Sequence, residues 1–322
     1  MTGPSRVPAT AGEPNRARSP SAAGQPGQLA TASVPRVSIA IVTDSTAYLP
    51  AALLTAAPAP ITVVPLHVVL GGREHREGVD ITTDDLSAAL RKFTPVSTSR
   101  PTPQVFLDAY EAAAAAGATG IVSIHLSSDM SGTCQSAQLA AQQSPVPVEV
   151  VDSRSLGMAM GYAVLSAAAA SAAGRDLNDV AAVALWRSEA ATVAFYVDTL
   201  EHLRRGGRIG AASALVGSAL AIKPILTLVD GSIRPLERVR TSSRALARLV
   251  ELAVTAATRS GGVVDLAVQH LDSVDRAQSL ARQLRERIDN VGDLVVGELG
   301  AVVGAHVGPG TLAVVVSPRP SS

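Results

Sequence analysis

The chain has 322 residues, of which 47% are hydrophobic and only 2% aromatic, so its core must be built mainly from aliphatic side chains. Lys and Arg number 27, as do Asp and Glu, and this balance argues against a nucleic-acid partner. A single cysteine, Cys134, excludes an intrachain disulfide framework and a cysteine-based zinc site. This cysteine usage also favours the reducing cytoplasm. Because no apolar run reaches the ~18 residues of a membrane span, we expect no stable membrane insertion.

The N-terminal half divides into a tail and a region of alternating elements. Residues 1–36 are rich in Pro, Ala, Ser, Gly and Arg and lack the apolar segment of a secretory signal, which predicts a disordered tail. In residues 37–174, β-rich runs alternate with helical runs, and Gly71-Gly72 indicates a hairpin after a strand over 62–70. This alternation predicts an N-terminal α/β domain with a mainly parallel sheet and helices on both faces.

The C-terminal half, residues 175–318, has a different pattern. Asp230-Gly231 lies between two β-rich runs and is a strong hairpin signal, and other strands alternate with helices. We therefore predict a second α/β domain, of the α+β type, with a mixed or antiparallel sheet. Near its end, His306 lies between glycines, a pattern that predicts a tight turn between strands where the backbone approaches another group closely.

Hydroxyl-rich turns follow several of the predicted strands. The most pronounced is the segment 127–137, which contains Ser131 and precedes a predicted helix over 136–143. Such side chains serve as helix caps, and with free backbone N–H groups they also bind anions. Similar segments occur at 43–46 and 97–102, and because ligands sit beyond the carboxyl ends of parallel strands, the clusters are expected to share one edge of the sheet.

In combination, six motifs resemble the DegV family of fatty-acid-binding proteins, which includes the binding subunits of bacterial fatty acid kinase. The resemblance runs from about Ser38 to Val316. This sequence departs from the family pattern at Arg100, where glutamine is usual, at Met130 and at Cys134. The motifs are Ile41-Val42-Thr43-Asp44-Ser45, Thr98-Ser99-Arg100-Pro101-Thr102, the segment 127–133, Asp152-Ser153 with Gly157, Gly206-Gly207-Arg208-Ile209, and His306-Val307-Gly308-Pro309-Gly310.

The resemblance implies a non-enzymatic protein that holds one long-chain, palmitate-like fatty acid between two domains, without a cofactor or a metal. It places the carboxylate on Thr98 and Ser131, with His306 close by. The implied role is presentation or transport of the acid for lipid metabolism, in kinase-linked members to a separate ATP-dependent kinase subunit. Supporting positions are Ser99, Gly132 and Thr133, and partner docking is implied for Arg204, Arg205 and Arg208.

Binding of a fatty acid requires an apolar tunnel and hydrogen-bond donors for the carboxylate. Aliphatic residues of the predicted helix 158–173 and of the segment 209–226 are expected to line the tunnel, and the hydroxyls of Thr98 and Ser131 are expected to be the donors. The alternative is a serine acyl hydrolase with Ser131 as nucleophile, His306 as base and Asp44 or Asp152 as the orienting carboxylate. No G-x-S-x-G elbow surrounds Ser131, which weighs against this alternative.

Overall fold

The computed structural model describes residues 38–215 and 223–320. The predicted tail, residues 1–36, and part of the predicted tunnel segment, residues 216–222, lie outside the described residues. The strands are β1 Ile39–Asp44, β2 Ile61–Val64, β3 His67–Leu70, β4 Arg73–Arg76, β5 Val96–Ser99, β6 Gly120–His125, β7 Val148–Asp152, β8 Thr192–Tyr196, β9 Lys223–Val229, β10 Ser232–Val239, β11 Val264–His270, β12 Val291–Glu298 and β13 Leu312–Pro318.

Helices connect most of these strands. Several begin with residues that favour a helix start: Asp176 caps the helix that follows it, and Pro103 occupies the first position of another. The helices are α1 Ala51–Ala56, α2 Thr83–Arg91, α3 Pro103–Ala115, α4 Thr133–Ala141, α5 Met158–Ala172, α6 Leu177–Ala190, α7 Glu201–Arg205, α8 Ser242–Ser260, α9 Val274–Arg287 and α10 Ala301–Val307. Within the described residues, no helix is both long and apolar enough to cross a membrane.

The first sheet has four parallel strands in the order β2-β1-β6-β7. Its two central strands are buried along almost their whole length, which explains why they read as continuous apolar runs rather than alternating ones. All four carboxyl ends lie at one edge. The turns that follow β1 and β6, with Asp44 and Ser127, therefore begin at the same edge, as the sequence predicted.

A separate three-stranded antiparallel sheet, in the order β4-β3-β5, carries the second hydroxyl motif. The predicted hairpin at Gly71-Gly72 is confirmed, since β3 and β4 pair directly across it. The predicted single strand over 62–70 is wrong: β2 and β3 belong to different sheets and are separated at Pro65 and Leu66. Proline has no N–H to give to a ladder, so a break at this position is expected.

The second large sheet has six strands in the order β10-β9-β8-β13-β11-β12. Only the β11–β12 pair is parallel; the others are antiparallel. The hairpin predicted at Asp230-Gly231 is confirmed, with positive φ values of 49° and 79° at its two turn residues. The α/β class, the parallel first sheet and the mixed second sheet therefore agree with the sequence-based expectation.

The two large sheets meet through α5, which is buried on nearly all sides. Met160 and Val164 pack in the core of the first sheet, whereas Met158 packs with Val315 of the second sheet. The helix after residue 174, α6, also packs against the first sheet through Val180 and Ala184. The division of the chain at residue 174 into two domains stays a prediction.

Candidate functional site

A cavity of about 400 Å³ lies beside the second sheet, within the ~300–1,000 Å³ range of small-molecule sites. Its wall has two kinds of surface. The apolar residues come mainly from the second sheet and α10, and the polar ones come from β5, from loops and from α10. The apolar group includes Val193, Phe195, Leu228, Val302, Val303 and Val315, and the polar group includes Thr98, Ser99, Arg100, Ser131, Arg208 and His306.

The polar group joins residues that are remote in sequence. Thr98 Oγ1 and His306 Nε2 are 2.9 Å apart and share a hydrogen bond. Two residues after Thr98, the Arg100 guanidinium donates to the carbonyl of Gly132, next to Ser131, at 3.5 Å. Thr98, Ser131 and His306, which the sequence selected as one site, therefore line the same cavity.

His306 lies on α10, so the predicted tight turn between strands is wrong at this position. The glycines have other functions here. Gly304 lies inside the helix, where an added Cβ would come within 2.6 Å of the Leu86 side chain, and Gly308 ends the helix with a φ of 76°. Close approach of the backbone was correctly inferred from the glycines, but the neighbour is protein rather than ligand.

Burial, and to a smaller extent the nearby Arg208 charge, together lower the pKa of His306 to about 4. The ring is therefore neutral near pH 7. Its Nδ1 atom is buried and has no hydrogen-bond partner among the described residues. Leaving a buried N–H at Nδ1 without an acceptor would cost more free energy than leaving an unprotonated nitrogen there. The proton is therefore assigned to Nε2. In that tautomer Nε2–H donates to Thr98 and leaves the threonine hydroxyl proton free for a ligand.

Ser131 lies in a compact turn between β6 and α4. Its backbone N–H donates to the Ser127 carbonyl at 3.1 Å, and its hydroxyl is 2.8 Å from that of Thr133. α4 begins at Thr133 rather than at residue 136, and its N-cap is Gly132, which supplies no side chain. The hydroxyls of this turn are thus not helix caps.

Other hydroxyls of the same turn fix its position. Ser127 donates to the Gly231 carbonyl of the second sheet at 2.7 Å, and Ser128 donates to Asp152 at 2.5 Å. Ser131 and Thr133 are hydrogen-bonded to each other, and Ser131 lines the cavity. The surplus of hydroxyls that the sequence showed is therefore divided between anchoring the turn and facing the cavity.

The three arginines that the resemblance assigned to partner docking differ in their surroundings. Arg204 and Arg205 are exposed on α7 and both bind Glu201. Arg208 instead lines the cavity, where Nε donates to the Met130 carbonyl at 3.1 Å and Nη1 donates to the Gly206 carbonyl at 2.6 Å. It connects the Ser131 turn to the loop beside His306, a position that sequence reasoning did not assign to it.

Asp44, one of the two carboxylates of the hydrolase alternative, is committed elsewhere. It is fully buried and accepts hydrogen bonds from the Leu126 N–H and from His125 Nδ1, each at 3.0 Å. His125 continues to Ser123 at 2.7 Å, so the chain contains an Asp-His-Ser series, but all three side chains are fully buried. Through the bond from the Leu126 N–H to Asp44, this series fixes the residue that precedes the 127–133 turn.

Asp152, the other carboxylate, binds Ser128 and the Arg154 N–H. Neither carboxylate forms a hydrogen bond to His306 among the described residues, and the Ser131 hydroxyl pairs with Thr133. The triad that the hydrolase alternative requires is not assembled in the described part of the chain. Nor is any group of three or more His, Cys, Asp or Glu side chains there arranged to hold a metal ion.

The apolar wall differs from the sequence-based expectation. No described residue of α5 lines the cavity, because that helix is enclosed between the two sheets. Ala313 and Val315 of β13 line it instead, with Thr311 just before that strand and with Val193 and Phe195 of β8. Side chains two apart on a strand share a face, so one face of the second sheet forms this wall.

The fold and this cavity define an α/β protein that encloses an apolar chamber with hydroxyl, imidazole and guanidinium groups on part of its wall. A family model described as an uncharacterised protein of the DegV family matches residues 38–319. The chain belongs to the DegV family.

Relatives and solved structures agree with this assignment. A DegV domain-containing protein of Streptomyces coelicolor is 54% identical over 87% of this chain and 99% of its own length. One from Mycobacterium tuberculosis is 36% identical over 87% of this chain and 97% of its own length.

Two proteins of solved structure share the fold over their full length. A DegV family protein of Thermus thermophilus, described by its fatty acid binding, is 34% identical with a TM-score of 0.82 and covers 88% of this chain and 100% of its own. DegV of Bacillus subtilis, described as a fatty acid binding protein, is 31% identical with a TM-score of 0.80 over the same shares of the two chains.

Proposed function

We propose that this protein binds one long-chain fatty acid of the palmitate type, with the acyl chain in the cavity and the carboxylate at Thr98, Ser131 and His306. The observation that carries the proposal is the joining of an apolar chamber to a hydrogen-bonded Thr98–His306 pair in one cavity. The solved relatives described as fatty acid binding proteins support the same ligand class.

The apolar wall suits a hydrocarbon chain. Each methylene that leaves water contributes about 0.8 kcal/mol, so a long chain gains far more from this chamber than a short polar metabolite does. Aliphatic side chains from β8, β13 and α10 form much of the wall, and Phe195 is the only ring among the described apolar residues there. A wall of this kind discriminates between acyl chains by their length and shape.

The carboxylate requires donors, since an unpaired buried charge is very costly. The Thr98 hydroxyl is free to donate because the neutral His306 ring donates to its oxygen, and Ser131 supplies a second hydroxyl. Hydrogen bonds to a charged group contribute roughly 1.5–3 kcal/mol each. Arg208 adds a fixed positive charge near the same groups, and Ser99, Gly132 and Thr133 support the two donors.

Binding without chemistry fits this arrangement, and we propose a non-enzymatic role: presentation or transport of the acid for lipid metabolism. A hydroxyl-based site leaves the carboxylate oxygens accessible to a second protein, such as an ATP-dependent fatty acid kinase subunit. The exposed Arg204 and Arg205 on α7 are the proposed contacts for that partner.

The test is native mass spectrometry of the protein purified from bacteria, with lipid extraction to identify any bound acid. We expect one acyl chain per protein molecule and exchange with added palmitate. A protein that retains no acid, and that shows no binding of a fluorescent fatty acid in titration, would contradict the proposal. Release of free acid from an acyl ester by the purified protein would instead favour hydrolysis.

A further inference from the structure

Glu77 is a buried carboxylate that no motif of the sequence analysis included. It follows β4, is only 5% exposed, and accepts three hydrogen bonds. The donors are Ser45 Oγ at 2.5 Å, the Tyr48 hydroxyl at 3.1 Å and the backbone N–H of Val302 at 2.7 Å. Ser45 and Tyr48 belong to the turn after β1, whereas Val302 belongs to α10, so one side chain joins three distant segments.

These contacts supply the N-terminal cap of α10. The N-cap residue is Gly300, which has no side chain to accept from the first free N–H groups of the helix. Glu77 accepts from Val302 and the Tyr48 hydroxyl accepts from Val303, at 3.1 Å. Glycine is required here because a Cβ at residue 300 would lie 2.4 Å from both Glu77 Oε1 and Tyr48 Cε1.

A cap alone does not require this arrangement. Serine or asparagine at residue 300 would cap the helix locally, without burying a carboxylate. Burial raises the pKa of Glu77, and the hydrogen bonds from Ser45, Val302 and Tyr48 oppose that rise. The helix dipole also favours a negative group at this end. The three-way contact therefore does something that a local cap would not: it fixes α10 to the first half of the chain.

The position of α10 decides where His306 lies. The helix has seven residues, so His306 follows Val302 by about one turn and moves as a rigid unit with it. Thr98, the hydrogen-bond partner of His306, lies on β5 in the small sheet, whose other edge strand, β4, ends immediately before Glu77. A rotation or slide of α10 would separate the imidazole from the threonine hydroxyl.

We propose that Glu77, with Ser45 and Tyr48, is a positioning residue of the fatty-acid site. It fixes α10 so that His306 orients the Thr98 hydroxyl toward the carboxylate of the fatty acid. This inference rests on the proposed function and adds a residue that does not contact the ligand. It also gives Ser45 of the Thr43-Asp44-Ser45 motif a role, since the Ser45 hydroxyl contacts the carboxylate that holds α10.

The test compares Glu77→Leu with Glu77→Gln, using two measurements on the full chain. The first is the ring ¹⁵N spectrum of His306, assigned with His306→Asn, which reports the tautomer and the hydrogen bond to Thr98. The second is the dissociation constant of palmitate. For Glu77→Leu we expect a mixed tautomer and about tenfold weaker binding, the change produced by one ordinary hydrogen bond. Glu77→Gln retains an acceptor for Val302 and should restore both readings nearly to those of the wild type.

Asp265→Asn is the matched control, because Asp265 is also a buried carboxylate but pairs with Arg187 and Arg319, away from α10. It should lower stability without changing the His306 spectrum. If Glu77→Leu does not fold, Tyr48→Phe removes one cap and one donor to Glu77 and is expected to shift the same two readings. A wild-type spectrum and affinity in whichever of these two variants folds would overturn the proposal. If the wild-type protein does not bind palmitate at all, the proposed function itself is refuted.

Discussion

Thr98 and His306, 208 positions apart in the chain, are joined by a hydrogen bond of 2.9 Å at the cavity wall. Thr98 lies on an edge strand of the small antiparallel sheet, and His306 lies on the last turn of α10. The bond therefore connects the small sheet of the N-terminal half to a helix of the C-terminal half. Binding of a ligand group that contacts both side chains therefore depends on the relative position of this strand and this helix.

We expect Thr98→Val to weaken fatty-acid binding by about 1–3 kcal/mol, because it removes a donor to the carboxylate but keeps the shape of the side chain. Ser131→Ala should have an effect of the same size. The measurement is displacement of a fluorescent fatty acid at pH 7.

Thr255→Ala provides the control for this prediction. The Thr255 hydroxyl lies on the exposed face of α8, outside the cavity wall, and donates to the Glu251 carbonyl at 2.8 Å. Its removal should leave the affinity within about 0.5 kcal/mol of the wild type, as for most surface substitutions. Unchanged affinity in the Thr98→Val, Ser131→Ala double variant would show that the carboxylate lies elsewhere.

His306 should make the stability of the protein depend on pH. Its pKa is about 4 in the folded state, below the ordinary value of 6.5. Between these two values the unfolded chain binds a proton that the folded chain does not, so the free energy of unfolding rises with pH across this window. The contribution is therefore lost as the pH falls from about 6.5 toward 4.

Urea unfolding of the wild type and of His306→Gln between pH 4 and pH 8 measures this contribution. Burial also lowers the pKa of His202 and His270, so only the difference between the two proteins isolates His306. The wild type should lose more stability than the variant on acidification. Parallel pH profiles would mean that the ring is accessible to water in solution.

Two glycines near the site should respond very differently to alanine. A Cβ on Gly206 would lie 2.0 Å from His306 Nδ1, and the ring is packed between α10 and the loop after α7. The φ of Gly206 is −73°, which alanine adopts freely, so any effect comes from the contact and not from the backbone. We expect Gly206→Ala to displace the ring, to cost about 1–3 kcal/mol of stability and to weaken fatty-acid binding.

At Gly132 a Cβ would lie 1.7 Å from Arg100 Nη1, which is closer still. That atom is the end of a long, exposed side chain whose hydrogen bonds to Gly132 and Gln135 are 3.5 and 3.3 Å. Arg100 can move into solvent at little cost, so Gly132→Ala should bind the acid nearly as well as the wild type. Equal losses in both variants, measured by thermal unfolding and palmitate titration, would refute this distinction.

The residues that the motifs assign to one site also lie together in the structure. Thr98 and Ser131 were assigned to the carboxylate by the resemblance, the surplus of hydroxyls in the segment 127–137 agreed with an anion site, and both residues line the cavity. The parallel first sheet followed from the alternation of β-rich and helical runs. These features depend on local composition and period, which a single sequence contains.

Features that depend on contacts between distant segments could not be found in this way. Glu77 lies in a short polar segment between β4 and α2, and nothing in its neighbours signals that it is buried against α10. The apolar wall was assigned to α5 because that helix is rich in alanine, yet its packing between the two sheets leaves none of its side chains facing this cavity. Composition reveals that a segment is buried but not what lies against it.

Arg208 has surroundings that differ from those of Arg204 and Arg205. The resemblance implied docking for all three, and on that basis Arg208→Ala would spare lipid binding. In the structure Arg208 donates to the carbonyls of Met130 and Gly206, one beside Ser131 and the other in the loop against His306. We therefore expect Arg208→Ala to weaken fatty-acid binding by about 1–3 kcal/mol, because two partly buried carbonyls lose a charged donor.

Arg204→Ala and Arg205→Ala are the comparison, because both side chains are exposed and pair only with Glu201 among the described residues. Surface ion pairs of this kind contribute about 0–1 kcal/mol, so neither variant should change palmitate affinity. If a kinase subunit is a partner, these two variants should slow phosphorylation of the bound acid while the acid stays bound. Wild-type palmitate affinity together with slow phosphorylation in Arg208→Ala would favour a docking role for Arg208. Its two backbone contacts would then contribute nothing to fatty-acid affinity.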